Sequence, residues 1–344
     1  MKLRVGLVGL GDAWETRYRP ALRSLSDRFE VRAICEPVAR RAELAAGEFG
    51  ARPVDGYRAL AVREDVDAVL FLSAKWFGVL PILAACDAGK AIYCAAAMDL
   101  ALDQARNLKS RVESSGIAFM AEFPFRQAPA TIRLKELIAT HLGQPRLMFC
   151  HRRHKADLEK EDIRGANLRE LTELVDWCCY LVGREPTSVL GTTHFVSDDA
   201  IGADYQLLSL DFSRSGSPGT GAMAQISCGR YIPRGWEEAV AFRPPAGIQV
   251  ACEHGIAFVD LPSTIIWFDS AGRHMETLDS ERPVGEQLLL YFHRTVTSLL
   301  LNTAGLEDAY RALSIVLESE SSHRQGCRIA LRLHDGNGAA GGGA

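Results

Sequence analysis

The stretch Lys2-Leu3-Arg4-Val5-Gly6-Leu7-Val8-Gly9-Leu10-Gly11-Asp12-Ala13-Trp14 decides how the rest of the chain is read. Leu3 to Val8 is a short apolar run of the kind that forms a strand buried on both faces. Gly9-Leu10-Gly11 breaks it, and from Trp14 to Leu25 apolar residues recur at helical spacing. Strand, glycine turn and helix, in that order, give a dinucleotide fingerprint its physical meaning. The first glycine permits the tight turn, and the second lets backbone approach a pyrophosphate. The helix start adds unpaired N–H groups and a partial positive charge. Gly9, Gly11, Asp12, Ala13 and Trp14 are therefore the expected phosphate-side positions. Trp14 stands where a Gly or Ala normally lets helix and strand pack closely. Its indole must point away or force a local rearrangement.

The second apolar run, Phe29 to Cys35, ends in Glu36, about 25 residues past Gly11. A carboxylate there accepts hydrogen bonds from a ribose 2′-OH and repels a 2′-phosphate, which favours NAD (NADH) over NADP. The competing reading is a doubly wound domain in which Glu36 is a surface residue after a strand.

Further on, helices at 40–49, 79–88 and 102–114 alternate with strands at 66–72, 91–94 and 117–120. That alternation predicts a parallel sheet covered on both faces. The rhythm then changes. Helices are expected at 131–140 and 167–182, with a strand at 146–152 between them. Strand-like runs follow near 187–197, 204–213, 221–231, 248–252, 256–260 and 264–268, and strands without intervening helices predict a mostly antiparallel sheet. Helices return at 285–301 and 306–319. The fold class is thus α/β, a Rossmann-type doubly wound sheet followed by an α+β domain with an open sheet. The expected division is 1–121 for the dinucleotide domain, 122–330 for a substrate and oligomerisation domain, and 331–344 for a flexible tail.

Composition sets the outer bounds. The 344 residues suffice for about two domains. A formal net charge of −4 gives no reason to expect nucleic acid as a partner. No apolar run reaches the ~18–20 residues of a membrane span, and no signal peptide opens the chain. Nine cysteines without Cys-x-x-Cys spacing fit reduced thiols in a cytoplasmic protein.

Over residues 3–330 the sequence resembles the glucose–fructose oxidoreductase, inositol dehydrogenase and MocA-like (Gfo/Idh/MocA) family. The landmarks are the glycine turn with Pro20-Ala21-Leu22, Cys35-Glu36-Pro37, Ala88-Gly89-Lys90 and Arg126 with Pro129. Asp176-Trp177 leading to Leu181-Val182-Gly183, and Leu306-Glu307-Asp308-Ala309 leading to Glu318-Ser319, complete them. The resemblance implies NAD(P)-linked redox chemistry on sugars, cyclitols or related polyols and sugar acids. It also implies a homodimer or homotetramer built on the open sheet, with a hetero-partner as a further option.

Three family positions are altered. Where the family has Glu-Lys-Pro, whose lysine polarises the reacting hydroxyl, this chain has Ala95-Ala96-Ala97, and a methyl group neither exchanges a proton nor stabilises an alkoxide. Where the family places an Asp and a His one helical turn apart, Arg169 and Glu173 stand. These two form either an i, i+4 ion pair or, through Glu173, a relocated general base. Third, Ser73-Ala74-Lys75-Trp76 follows the strand that ends at Leu72. Ser73 and Trp76 are expected against the cofactor, and Lys75 against a phosphate or as a catalytic group, beside the plainer reading of an exposed loop lysine. Arg126, Arg169, Trp177 and His151 are the expected substrate contacts, with Glu122 beside or beneath them. His151-Arg152-Arg153-His154 has no carboxylate or cysteine nearby in sequence at metal-ligand spacing, and on a strand its two histidines face opposite sides. No metal is expected. Two readings remain: a divergent NAD-linked oxidoreductase, and a non-catalytic nucleotide-binding regulator or partner subunit that keeps the fold.

Overall fold

The computed structural model describes residues 1–95, 100–155, 163–195, 204–214, 217–232, 238, 247–279, 281–298 and 303–331. Two compact units emerge. The first comprises Met1–Leu134, Asp260–Ile265 and Met275–Ser314, and the second Lys135–Val259, Ile266–His274 and Ile315–Ala344. Neither unit is one consecutive stretch of chain.

In the first unit, β1 (Leu3–Val8), β2 (Phe29–Cys35), β3 (Arg52–Pro53), β4 (Ala68–Phe71), β5 (Ala91–Cys94) and β6 (Phe119–Ala121) share a sheet with β15 (Thr303–Ala304). The order is β15-β6-β5-β4-β1-β2-β3, and each neighbouring pair runs parallel. The direction of strand addition reverses between β1 and β4. That switch point opens a crevice at the carboxyl ends of the strands. Every residue of β4 and of β5 is buried, which is why these runs read as continuously apolar rather than alternating. Connecting helices α1 (Arg19–Ser24), α2 (Ala39–Phe49), α3 (Tyr57–Ala61), α4 (Leu80–Asp87) and α5 (Leu102–Ser115) follow the strands. Gly50 and Gly116 close α2 and α5 in the left-handed conformation.

The helix expected from Trp14 to Leu25 is not continuous. Its first turn, Trp14–Tyr18, is a π-helical turn. Tyr18 N–H reaches back to Ala13 O at 3.3 Å, one residue further than an α-helical bond. The wider turn swings the indole away from the glycine loop into the core. There Trp14 is 4% exposed and packs edge-on against Phe49, with ring centroids 5.9 Å apart.

The second sheet is assembled from β7 (Pro145–Lys155), β8 (Ser188–His194), β9 (Tyr205–Asp211), β10 (Met223–Ile232), β11 (Ile248–Cys252), β12 (Ile256–Asp260), β13 (Thr264–Asp269), β14 (Gly272–Thr277) and β16 (Ile329–Ala330). Their order is β14-β13-β12-β11-β7-β10-β9-β8-β16. The central pair β7–β10 is parallel, whereas β12–β11, β11–β7, β10–β9, β9–β8 and β8–β16 are antiparallel. The sheet is thus mostly antiparallel, as its hairpin-like spacing implied. Of the remaining helices, α6 (Pro129–Leu137), α7 (Ile163–Val182), α8 (Val284–Thr297) and α9 (Leu306–Gln325), α7 packs on β7 and β10, whereas α8 packs in the core of the first unit with Leu288, Leu289 and Phe292.

On β7 and β10 the pattern alternates. Met148, Cys150, Ala224, Ile226 and Cys228 are buried, while Leu147, Phe149 and Leu190 are exposed. Register places Leu190, Ser209, Gln225, Phe149, Gln249 and Phe258 in one cross-strand row. That row mixes apolar Leu190, Phe149 and Phe258 with polar Ser209, Gln225 and Gln249, and Phe268 adds its edge-on contact with Phe258.

The hairpin strand β14 was not anticipated, because Gly272-Arg273-His274 carries little strand propensity by itself. All nine cysteines are free. No helix among the described residues is long and apolar enough to cross a membrane. Ala96, Ala97 and the tail from Asp335 lie outside the described residues.

The indole of Trp14 fixes the π-helical turn. Trp14→Ala is expected to cost about 3–5 kcal/mol through lost burial and the cavity left beside Phe49. Urea unfolding of the two proteins checks this, and a cost below about 1 kcal/mol would show that the turn is held by its backbone alone.

Candidate functional site

In the first unit the site is built on the glycine turn at the switch point. Gly9 and Gly11 have φ of 64° and 66°, a region that residues with a Cβ rarely occupy. A Cβ on Gly9 would lie 2.9 Å from Ser73 O, and one on Gly11 2.8 Å from Leu72 O. The turn therefore presses against the end of β4, and Ser73 is brought beside both glycines. Gly9 N–H donates to Cys35 O at 2.9 Å, and Leu10 N–H donates to Glu36 Oε2 at 2.8 Å. Four of the expected cofactor positions, Gly9, Gly11, Ser73 and Glu36, thus converge.

Glu36 is not the surface residue of the plainer reading. Its side chain is 1% exposed, and Oε1 accepts the Val38 N–H at 3.3 Å. Arg41 Nη1 lies 3.8 Å from the same oxygen, while Arg41 Nη2 donates to Gly11 O at 3.1 Å. The carboxylate holds the glycine turn in place, and Arg41 puts a cation at the same edge. Arg41 was missed in the sequence because it belongs to no motif and sits in an ordinary surface helix.

Asp12 and Ala13 lead into the π-helical turn, whose first amides have no carbonyl one turn behind them. Trp14 contributes backbone there, but its buried indole cannot face a ligand. Lys75 and Trp76 lie on the loop after β4 and are exposed. Lys75 N–H donates to Ser73 Oγ at 3.3 Å, and the Trp76 ring is left 57% exposed.

A second cluster in this unit surrounds Glu122, which follows β6. The carboxylate is 2% exposed. Tyr18 Oη donates to it at 2.7 Å, Tyr93 Oη at 2.5 Å, and Arg17 pairs with its other oxygen. Glu122 therefore packs beneath the surface, the second of its two expected positions. Burial pushes its carboxyl above the usual range, against the pull of Arg17 and the two tyrosyl donors. Burial and the adjacent carboxylate also push the Tyr18 and Tyr93 hydroxyls well up, so both remain protonated donors. Arg126, expected at an anionic substrate group, is paired with Asp308 at 2.9 Å and lies over Phe123.

In the second unit, α7 presents one face to the sheet. Trp177 is fully buried, so its ring fills the core and does not reach a substrate at the surface. Arg169 is exposed and Glu173 half-buried on the same helix. The two histidines of β7 do face opposite ways. His151 Nδ1 lies 2.6 Å from Ser227 Oγ, and burial together with Arg153 holds its imidazole below the usual range. His154 instead meets Glu170 of α7, Nε2 to Oε2 at 3.0 Å, with Cys228 of β10 nearby. A carboxylate and a thiol thus do come to His154, brought by the fold from elements remote in sequence. Burial alone would raise the Glu170 carboxyl, but His154, Arg152 and Arg230 outweigh it and hold it below its usual range.

A parallel sheet with a reversal at β1/β4 and a tight glycine turn there define a Rossmann architecture. Residues 3–123 match the family model GFO_IDH_MocA, described as the oxidoreductase family with an NAD-binding Rossmann fold. It is 26% identical over 259 residues to the inositol 2-dehydrogenase of Rhizobium meliloti (strain 1021), covering 73% of this chain and 76% of that one. It is 32% identical over 141 residues to the dTDP-3,4-didehydro-2,6-dideoxy-alpha-D-glucose 3-reductase of Actinomadura kijaniata, but over only 40% of this chain and 41% of that one. An oxidoreductase structure from Thermotoga maritima superposes with a TM-score of 0.80 at 17% identity, covering 96% of this chain and 98% of that chain, and so shares the fold.

The Glu122 cluster yields a pH test. Glu122→Leu leaves Arg17 without its counter-charge and two tyrosyl hydroxyls without their acceptor, and is expected to cost about 3–5 kcal/mol. Glu122→Gln removes the titration. A carboxyl whose folded pKa is raised binds its proton more tightly in the folded state. Wild-type stability relative to Glu122→Gln should then fall as pH rises above the ordinary glutamate range, by up to about 1.4 kcal/mol per unit. Urea unfolding from acid to neutral pH reads this directly. A relative gain with rising pH would mean that Arg17 outweighs burial.

Proposed function

We propose that this protein is an NAD(H)-dependent oxidoreductase acting on a sugar, cyclitol, related polyol or sugar acid. The observation that carries this reading is the glycine turn itself. Gly9 and Gly11 hold a backbone path that residues with a Cβ rarely adopt, and it stays pinned by Glu36 and pressed against Ser73. Glycines that bring backbone this close at a switch point are typical of a pyrophosphate cradle. Gly9, Gly11, Asp12, Ala13 and the backbone at Trp14 would hold the pyrophosphate. Ser73 and Trp76 would border the rest of the dinucleotide. The cofactor supplies the hydride acceptor. Glu36 places negative charge at the ribose edge, which supports NAD over NADP, and Arg41 tempers that preference.

The polyol-type substrate is supported by the inositol dehydrogenase relative, whose match extends past the Rossmann part of the chain. Glu173 is assigned as general base, because it stands where the family carries its histidine and a carboxylate can take up a proton there. Lys75, with Arg126, Arg169 and His151, supplies cationic or hydrogen-bonding contacts to the substrate. The exposed apolar side chains of the second sheet support assembly as a homodimer or homotetramer, and the reading places the protein in the cytoplasm.

A second reading, a nucleotide-binding regulator or partner subunit without turnover, is favoured by a specific set of replacements. Ala96 and Arg169 stand at the family's lysine and aspartate positions, and Arg126 is already paired with Asp308.

Calorimetry with NADH and NADPH separates the possibilities at the cofactor. Micromolar NADH binding, weaker NADPH binding, and a roughly tenfold or greater loss in Gly11→Ala are expected, because a methyl group there meets Leu72 O. Binding of neither nucleotide would overturn the cofactor assignment. Screening NAD reduction against polyols and sugar acids tests the chemistry. Turnover is expected, and Glu173→Gln should lower kcat roughly 100-fold or more. Full activity in that variant removes Glu173 as the base. NADH binding without any turnover would favour the second reading.

A further inference from the structure

The second unit contains a polar cluster that the dinucleotide reading does not use. β7 and β10 run parallel with Arg152 opposite Cys228. Alternation therefore puts Arg152, His154, Cys228 and Arg230 on one face, the face covered by α7. From that helix Asn167 and Glu170, one turn apart, meet them. Arg230 Nε donates to Asn167 Oδ1 at 3.0 Å, and Cys228 Sγ lies 3.7 Å from the same oxygen. A ring nitrogen of His154, a Glu170 carboxylate oxygen and Cys228 Sγ all lie within 4.8 Å of one another.

The geometry between His154 and Glu170 is not that of a simple ion pair. Nε2 and Oε2 are 3.0 Å apart, and Nε2 is buried without an aligned hydrogen bond. The nitrogen lone pair of a neutral imidazole is thus available to a ligand beside the carboxylate and the thiol. Imidazole nitrogen, carboxylate oxygen and thiolate sulfur are the zinc donor set, with bonds of about 2.0–2.3 Å. Ligands on a tetrahedral ion then stand about 3.3–3.8 Å apart. The observed separations bracket that range, so shifts of well under an ångström per ligand would close the site.

We propose that His154, Glu170 and Cys228 form a binding site for a zinc-class divalent cation, supplying three of its ligands.

On binding, Glu170 supplies a carboxylate oxygen, Cys228 a thiolate and His154 a neutral imidazole nitrogen, and Arg152 Nε lies 3.6 Å from the other Glu170 oxygen. Binding releases the Cys228 proton to solvent and forms the metal–sulfur bond, with no change of oxidation state.

The test uses the full-length protein, purified without metal-affinity resin and stripped with chelator. Zinc is titrated against a competing chromophoric chelator and bound metal is counted by elemental analysis. Cobalt(II) is added separately as a spectroscopic probe. About one zinc per chain is expected, with a thiolate-to-cobalt charge-transfer band in the near-ultraviolet. Cys228→Ser should abolish that band, and His154→Ala or Glu170→Gln should weaken zinc binding roughly 100-fold or more. Circular dichroism confirms that each variant remains folded. Cys327→Ser alters an exposed thiol elsewhere and should keep both metal and band. Absence of stoichiometric metal, a band that survives Cys228→Ser, or a band lost in Cys327→Ser would each overturn the proposal. None of these readouts depends on NADH binding or turnover, so they stand or fall separately from the redox assignment.

Discussion

The hydrogen bond from Leu10 N–H to Glu36 is the constraint on which the first unit's site depends. Leu10 lies between two glycines at positive φ, whose conformational freedom has to be restricted for the turn to keep one path. The buried carboxylate at the end of β2 does so, and the end of β4 closes against the turn from the other side. A hydrogen bond to an ionised acceptor is stronger than a neutral one, by about a factor of two. Strand order, glycine turn and acidic residue are thus one mechanical arrangement. Arg41 adds a cation beside the same carboxylate without displacing the N–H bonds.

Much of this was legible in the sequence because it depends on local pattern. Leu3 to Val8 has to be a strand buried on both faces, and Gly9 and Gly11 have to be a turn that other residues cannot make. The alternating runs of the first sheet and the helix-free spacing of the second follow from the same periodicity argument. What escaped was set by contacts between remote segments. Glu122 gave no signal for its pairing with Arg17, Tyr18 and Tyr93, since its partners come from a helix start and a different strand. Trp177 read as a pocket residue because it lies in a family-like stretch, whereas helical phase puts it in the core. The His154, Glu170 and Cys228 cluster was likewise invisible to spacing rules, which detect ligands only when they are neighbours in sequence.

The two units solve different problems with similar means. In the first, parallel strands are covered on both sides and the ligand edge lies at their carboxyl ends. In the second, only one face is filled by buried residues such as Cys150, Ile226 and Val250, and the opposite face keeps Leu147, Phe149 and Leu190 in contact with solvent. An exposed apolar sheet face of this kind is an aggregation hazard for a free monomer unless another surface covers it. In the second unit Arg152, Glu170 and Arg230 gather unlike charges on the helix-covered face.

The π-helical turn at Trp14 bears on how such chains are found at all. Pattern searches for dinucleotide sites treat the third small residue as a requirement, yet the requirement is a clearance between two backbones. Here one extra residue in the first turn rotates a large side chain out of that gap, and the clearance survives an indole. Insertions that widen a helix by one residue therefore let the motif drift in letters while its path in space stays put. Sequences dismissed for a bulky third position become worth re-reading for the signature of the compensating turn: an aromatic that fills the neighbouring core, here Trp14 against Phe49.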